Sequence, residues 1–277
     1  MPALDLDVVW NSGASGVPEP PVQVHRARAD TVVLRQGIAT HFEAPFLYLL
    51  LGSRRALLLD TGAVADPAAF PVRETVDGLL AEWLTEHPHP GYGLVVAHTH
   101  AHGDHVAGDA QFHDRPSTVV VGHDVAAVHA FFGIEPSADG RNGSGRLDLG
   151  GRDLAVLPIP GHHPTSIAVH DPATRTVLTG DTLYPGRLYV DDFPAFSRSL
   201  ARLQRLVRDA GVEHLLGAHV EMSDVAGVDH PRGSTRHDGE APLPMTPAQL
   251  DAVVAAAAST GGVPGRHVFD DVAIWID

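Results

Sequence analysis

The sequence of 277 residues contains no cysteine and no lysine. Without cysteine there are no disulfides, no thiolate metal ligands and no thiol nucleophile, which fits a reducing compartment. Without lysine there is no phosphate-binding loop that ends in Gly-Lys-Ser/Thr. All 19 basic residues are therefore arginines, and 34 acidic residues give a formal net charge of −15. This balance argues against nucleic-acid partners, because phosphate backbones attract basic surfaces.

Long apolar runs are also missing from the chain. No run approaches the roughly 20 residues that span a bilayer, and the opening MPALDLDVVWNSG lacks the charged and apolar regions of a secretion signal. We therefore expect a soluble, cytoplasmic protein that does not bind a membrane. No linker divides the chain, so we predict one domain over 1–277, and we leave open whether 223–277 forms a C-terminal lid or extension.

Short apolar runs alternate with amphipathic segments. Strands are predicted at 31–34, 46–51, 56–59, 94–97, 118–121, 154–159, 167–170, 176–178 and 215–216, with a final one in HVFDDVAIWID. Helical spacing predicts helices around 72–83 and 196–207, and Thr246, Pro247 and Gln249 form a helix start. The Gly- and Ser-rich stretch at 135–146 is predicted to be a loop within the domain. Strands interspersed with helices indicate an α/β or α+β fold.

The densest cluster of metal-ligating side chains lies in LVVAHTHAHGDHVAG, at 94–108. His100, His102, Asp104 and His105 form the pattern H-x-H-x-D-H directly after a predicted buried strand. Imidazole and carboxylate groups together suit zinc and similar divalent ions. Alternate side chains of an extended loop point the same way, so His100 and His102 can hold one ion while Asp104 and His105 turn towards a second. A polar loop with surface histidines is the alternative interpretation.

This segment resembles the T-H-x-H-x-D-H signature of the metallo-β-lactamase superfamily, and the resemblance extends over about 32–221. Four further motifs stand in the order typical of that family: ALLLDTG with Asp60, PGHHPTS with His162, TVLTGDTLY with Asp181 and HLLGAHVE with His219. The resemblance implies a four-layer αβ/βα sandwich, with two sheets face to face and helices outside. Within the superfamily the chain resembles the glyoxalase II and lactonase members, and its subfamily is left unassigned.

The resemblance also implies a ligand set for two divalent ions, zinc first, with manganese or iron as alternatives. The first site would comprise His100, His102 and His162, the second Asp104, His105 and His219, and Asp181 would bridge them. His163 is the rival of His162, but the family pattern places the ligand directly after glycine. Asp60 is expected to hydrogen-bond the metal-binding loop without ligating an ion.

Several other polar side chains have weaker claims to a role. Tyr184 follows Asp181 by three residues, as in the D-x-x-Y arrangement of lactonases, and is a candidate to donate a hydrogen bond to a substrate oxyanion. An aromatic ring packed under the site is the alternative for Tyr184. The remaining histidines considered have no matching role and are interpreted as ordinary: His98, His113, His123, His129 and His170.

The implied ligand set predicts a hydrolase that attacks a small ester, lactone, thioester or amide with a hydroxide bridging two ions. Asp104 would orient that nucleophile and shuttle a proton. Two alternatives remain: a mononuclear iron-dependent oxidoreductase resembling sulfur dioxygenases, and a non-catalytic metal-binding module. A seven-ligand set favours two ions and hence hydrolysis. The predicted partner is a small-molecule substrate, and the sequence leaves the oligomeric state open, a homodimer included.

Overall fold

In the computed structural model, which describes residues 3–135 and 143–277, the first six strands form one sheet in chain order. They are β1 (Val22–Arg28), β2 (Thr31–Gln36), β3 (Phe46–Leu51), β4 (Arg55–Leu59), β5 (Gly93–Ala97) and β6 (Thr118–Val120). Strands β1 to β4 are antiparallel, whereas β4, β5 and β6 are parallel. Parallel neighbours need a crossover, and helix α1 (Val72–Glu86) lies in the connection from β4 to β5. The carboxyl ends of β4 and β5 therefore share one edge.

The second sheet also has six strands, with the spatial order β13-β12-β10-β9-β8-β7. These are β7 (Gly145–Asp148), β8 (Asp153–Pro158), β9 (Ile167–Asp171), β10 (Thr176–Gly180), β12 (His214–Gly217) and β13 (Pro244–Met245). Strand β9 is antiparallel to both β8 and β10, and β12 is parallel to β10. Strands β8, β10 and β12 thus run in the same direction, and their carboxyl ends also meet at one edge.

Three apolar clusters show how the layers stack. One cluster lies between the two sheets and contains inward side chains of both, such as Tyr48 and Leu178. The outer face of the first sheet packs against α1 through Val76. The outer face of the second sheet, which includes Val177, packs against the two C-terminal helices. Neighbouring residues of β10 thus face opposite layers, as strand geometry requires, and the four-layer αβ/βα sandwich confirms the predicted fold class.

The remaining elements surround these sheets. The other helices are α2 (Gly103–Val106), α3 (Val125–Phe132), α4 (Phe193–Ala210) and α5 (Pro247–Thr260), with a 3₁₀ helix at Ala107–Gln111. A third, small sheet consists of β11 (Arg187–Val190), β14 (Gly265–Val268) and β15 (Ala273–Ile276). Thr246 and Gln249 close the predicted capping box at the start of α5. Within the described residues no helix is long and apolar enough to cross a membrane.

Some predictions from the sequence were wrong or incomplete. The segment HVFDDVAIWID forms no single strand: β14 and β15 pair antiparallel around a turn in which the amide of Phe269 donates to the carbonyl of Val272. Strands β1, β7 and β11 and helix α3 were not predicted, because they are short or largely polar. Residues 136–142 of the predicted loop lie outside the described residues, and the prediction of one domain over 1–277 stays a prediction.

Candidate metal centre

The candidate centre lies where the carboxyl ends of five strands meet. From the first sheet, Asp60 follows β4 directly, and the loop with His100 and His102 follows β5. From the second sheet, His162, Asp181 and His219 follow β8, β10 and β12 in the same way. Because these strands run in common directions within each sheet, the topology brings together side chains that are far apart in sequence.

The first group consists of three imidazole nitrogens that converge. Nδ1 of His102 lies 2.9 Å from Nε2 of His100 and 3.0 Å from Nε2 of His162, and the last two atoms are 3.1 Å apart. Nδ1 of His162 lies 2.8 Å from the carbonyl oxygen of Tyr189. A neutral ring that donates its Nδ1–H there has a lone pair on Nε2. A cation is the group that satisfies three converging lone pairs.

The second group contains two imidazoles and two carboxylates. Its members are Asp104, His105, Asp181 and His219. Nε2 of His105 and Nε2 of His219 are 3.4 Å apart, and each lies 3.3 Å from Oδ2 of Asp104. Ligand atoms about 2.0–2.1 Å from a tetrahedral zinc ion are about 3.3 Å from one another. The spacing therefore fits a divalent ion.

Asp181 connects the two groups. Its Oδ1 lies 3.5 Å from Nε2 of His105 and 3.4 Å from Nε2 of His219, while Oδ2 lies 3.9 Å from Nε2 of His100 and 3.7 Å from that of His162. Oδ1 is buried and has no hydrogen-bond partner among the described residues. A buried, unsatisfied carboxylate oxygen is costly unless a cation or donor meets it. This observation fits an ion between the rings.

The hydrogen bond that a ring makes on its outer side determines which of its nitrogens faces the centre. Nδ1 of His219 lies 2.8 Å from the carbonyl oxygen of Glu43, and Nδ1 of His105 lies 2.9 Å from Oδ2 of Asp60. With Nδ1–H donated outwards, Nε2 points inwards as a ligand atom. His102 is the exception, because it presents Nδ1 to the first group.

The expectation that Asp60 hydrogen-bonds the metal-binding loop is confirmed. Its carboxylate accepts from the backbone N–H of Thr99 at 2.7 Å, from the Thr99 hydroxyl at 2.9 Å and from His105. Asp60 is fully buried and has a φ of 70°. Asp is among the few residues that tolerate this left-handed backbone region. The strained backbone at the end of β4 thus aims the carboxylate at the next loop.

The two groups differ in their electrostatic surroundings. Burial and the neighbouring His105 hold the pKa of His100 well below its ordinary value. Burial alone would lower the pKa of His219, but the carboxylates of Asp181 and Asp104 raise it to about 10. Burial alone would raise the pKa of Asp181, but His219 and His105 hold it well below its usual range. The carboxylates and imidazoles of the second group thus favour each other's charged forms.

All seven predicted ligands come together at the centre. His163 belongs to neither group: its ring packs against that of His102, with 4.7 Å between the centroids, and its Nδ1 lies 2.8 Å from the Thr165 hydroxyl. Tyr184 is buried at the edge of the site, where its hydroxyl donates to the carbonyl oxygen of Arg187 and lies 3.0 Å from Oε2 of Glu221. The side-chain proton of Tyr184 is thus already bonded within the protein, which favours the packing interpretation over oxyanion binding. The role of Tyr184 stays a prediction.

A cavity of about 260 Å³ opens above the two groups. Its lining residues are Glu43, His102, Asp104, His162, Asp181, Tyr184, Tyr189, Asp191, His219, Glu221, Arg232 and Asp277. Sequence reasoning did not assign a role to Glu43, Glu221 or Arg232. Glu221 ends the HLLGAHVE motif but was not singled out there, and Glu43 and Arg232 stand in none of the recognised motifs. The cavity is near the lower end of the size range of small-molecule sites.

Comparison with known proteins agrees with this geometry. The family model of the metallo-beta-lactamase superfamily matches residues 42–219. A hydroxyacylglutathione hydrolase of Rhizobium meliloti (strain 1021) is 29% identical over 157 residues, which are 55% of this chain and 56% of that protein. The acyl-coenzyme A thioesterase MBLAC2 of Homo sapiens is 27% identical over 204 residues, 62% of this chain and 72% of that protein. The chain spans about half the length of the hydroxyacylglutathione hydrolases it matches.

Solved structures show the same fold. A metallo-beta-lactamase from Erythrobacter litoralis has a TM-score of 0.58 and 15% identity, and the match covers 88% of this chain and 99% of that one. A metallo-beta-lactamase from Pontibacter korlensis has a TM-score of 0.54 and 16% identity, with 86% and 99% covered. At these identities the likeness concerns the fold alone.

Proposed function

The chain belongs to the metallo-β-lactamase superfamily, and we propose that it is a metal-dependent hydrolase of a small carbonyl compound, with two divalent ions at its centre. The observation that carries the proposal is the position of Asp181, whose two oxygens face two separate groups of ligand atoms. The three histidines of the first group would hold one ion, and Asp104, His105 and His219 the other. Zinc is the first candidate, with manganese and iron as alternatives.

Bound divalent ions would supply Lewis acidity and lower the pKa of water towards neutrality. The chain's own residues provide the rest of the chemistry. Asp104 is the most exposed member of the second group, with 21% of its side chain accessible, and it lines the cavity. Its carboxylate is therefore placed to accept a hydrogen bond from an attacking water and to receive its proton.

Thioesters are the substrate class that we place first. The similar hydroxyacylglutathione hydrolases and MBLAC2 thioesterases are named for thioester substrates. The case for lactone substrates depended mainly on the D-x-x-Y spacing. The Tyr184 hydroxyl, however, donates to the carbonyl oxygen of Arg187 instead of facing the cavity as a free donor. Esters, lactones and amides stay in the screen, because a metal-activated water attacks all of these carbonyls.

Metal content and activity test the proposal together. The purified protein should contain about two zinc or manganese ions per chain by plasma mass spectrometry, and it should hydrolyse at least one member of a thioester, lactone and ester panel. His100→Ala should lose activity and ion binding at the first group, whereas the exposed control His113→Ala should keep both. About one iron per chain, with oxygen consumption on a persulfide and no hydrolysis, would replace this proposal with the oxidoreductase.

A further inference from the structure

A third cluster of ligand-type side chains lies outside the candidate centre. Nε2 of His98 is 2.8 Å from Oδ1 of Asp109, and Nε2 of His123 is 2.7 Å from Oδ2 of the same carboxylate. The two rings are nearly perpendicular, at 88°, with their centroids 4.9 Å apart. One carboxylate thus meets two imidazoles, each through a separate oxygen.

Three different elements supply this cluster. His98 follows β5 directly, Asp109 belongs to the 3₁₀ helix, and His123 stands in the loop between β6 and α3. The hydroxyl of Thr61, next to β4, donates to Oδ1 of Asp109 at 2.8 Å. Such a donor behind a carboxylate is the usual support of a ligand group. The sequence did not reveal the cluster, since its members are 11 and 14 residues apart.

We propose that His98, Asp109 and His123 form a third divalent-cation site, separate from the two-ion centre, with zinc as the preferred ion. Two imidazoles and one carboxylate are a donor set that zinc accepts. All the ligand atoms lie within 4.8 Å of one another. The proposal does not depend on the hydrolase function, because none of the three residues belongs to the candidate centre.

Access and charge favour an ion at this site. His98 and Asp109 are buried, whereas 44% of the His123 side chain is exposed, so an ion can enter from solvent on that side. Burial alone would raise the pKa of Asp109, but hydrogen bonds from His98, Thr61 and His123 hold it below its ordinary value. The carboxylate is therefore charged, and a cation beside it compensates a buried negative charge.

There is also room beside the rings. A void of about 10 Å³ lies beside His98 and His123, and its other lining residues include His100, Val121, Val128 and Phe132. This volume is at the lower limit of what a single water needs. Without an ion, each Nε2–H donates to Asp109; with an ion, each ring moves its proton to Nδ1 and offers the Nε2 lone pair.

Zinc stoichiometry tests the site. The full chain is dialysed to equilibrium against zinc alone, and bound zinc is counted for the wild type, His123→Gln and the control His113→Gln. Glutamine at 123 can still donate a hydrogen bond to Asp109 but is a poor zinc ligand, and the position is half exposed, so folding should be preserved. We expect His123→Gln to bind one zinc fewer per chain than His113→Gln, whatever the total.

The outcomes separate this site from the two-ion centre. A difference of one ion supports the third site even if the candidate centre holds fewer ions than proposed or hydrolyses none of the compounds tested. Equal zinc counts in His123→Gln and His113→Gln, with both variants folded by circular dichroism, would overturn the proposal. The three side chains would then form a closed hydrogen-bond network that only braces the loop after β5.

Discussion

Oδ2 of Asp60 lies 2.9 Å from Nδ1 of His105, and both side chains are completely buried. The other oxygen of the same carboxylate accepts from the backbone of Thr99. One side chain at the end of β4 therefore orients both a proposed ligand ring and the loop after β5, which carries His100 and His102. Asp60 thus helps to set the geometry of a group to which it does not itself belong.

Asp60→Asn should weaken metal binding while keeping the fold. Asparagine tolerates the positive φ of 70° at this position, but its single oxygen cannot accept from both Thr99 and His105. We expect a loss of about 10- to 100-fold in affinity for one ion, measured by zinc competition with a chromophoric chelator. Asp66→Asn, at an exposed position in the loop after β4, is the control. Unchanged affinity in Asp60→Asn would show that His105 needs no such support.

Asp181→Asn should lower the number of bound ions from two to one. The amide removes a negative charge and leaves one oxygen, so the link between the two groups is lost. Native mass spectrometry counts the ions directly. The matched control is Asp191→Asn, because Asp191 lines the same cavity but belongs to neither group. Two ions in Asp181→Asn would mean that the bridge is assigned to the wrong residue.

The convergence of the seven proposed ligands could be predicted from the sequence because each stands in a recognisable motif at or after the end of a strand. The inner strands could be predicted for a related reason: their apolar runs, such as FLYLLL in β3, are buried on both faces. β1 was missed because polar residues occupy most of its VQVHRAR sequence, as an edge strand allows.

The orientation of the rings could not be predicted. Nδ1 of His162 meets the carbonyl oxygen of Tyr189, and Nδ1 of His219 meets that of Glu43. Backbone carbonyls are present at every residue, so no residue type marks these partners in the sequence. The same holds for Tyr184. The D-x-x-Y spacing predicted that its ring lies at the site, but it did not predict the hydrogen bond from its hydroxyl to the carbonyl oxygen of Arg187.

Tyr184→Phe should reduce stability more than turnover. The hydroxyl contacts the Arg187 carbonyl and Glu221, and its loss leaves buried acceptors with fewer donors, at a cost of about 1–3 kcal/mol. Urea unfolding measures the stability, and steady-state kinetics on the best substrate measures kcat, which we expect to change less than about threefold. A drop of about 100-fold in kcat with unchanged stability would restore the oxyanion role.

The stability of the protein should fall as the pH drops below about 6.5, partly through His230. Its ring is buried and stacks on His237 at 4.2 Å, and Nε2 has no hydrogen-bond partner among the described residues. Burial and the neighbouring His237 lower the pKa of His230, against a smaller opposing effect of Glu240; Arg187 lowers it further. At low pH the His230 ring therefore binds a proton more readily in the unfolded chain than in the folded protein, so acid favours unfolding.

His230→Phe should weaken this pH dependence, because phenylalanine preserves a flat ring against His237 and cannot bind a proton. The measurement is the difference in melting temperature between pH 7 and pH 5, for the wild type, His230→Phe and the exposed control His113→Phe. We expect a smaller difference in His230→Phe than in either of the others. The same difference in all three proteins would mean that His230 binds its proton as readily in the folded protein as in the unfolded chain, or that other groups dominate the acid response. In either case the buried stack would have no measurable part in it.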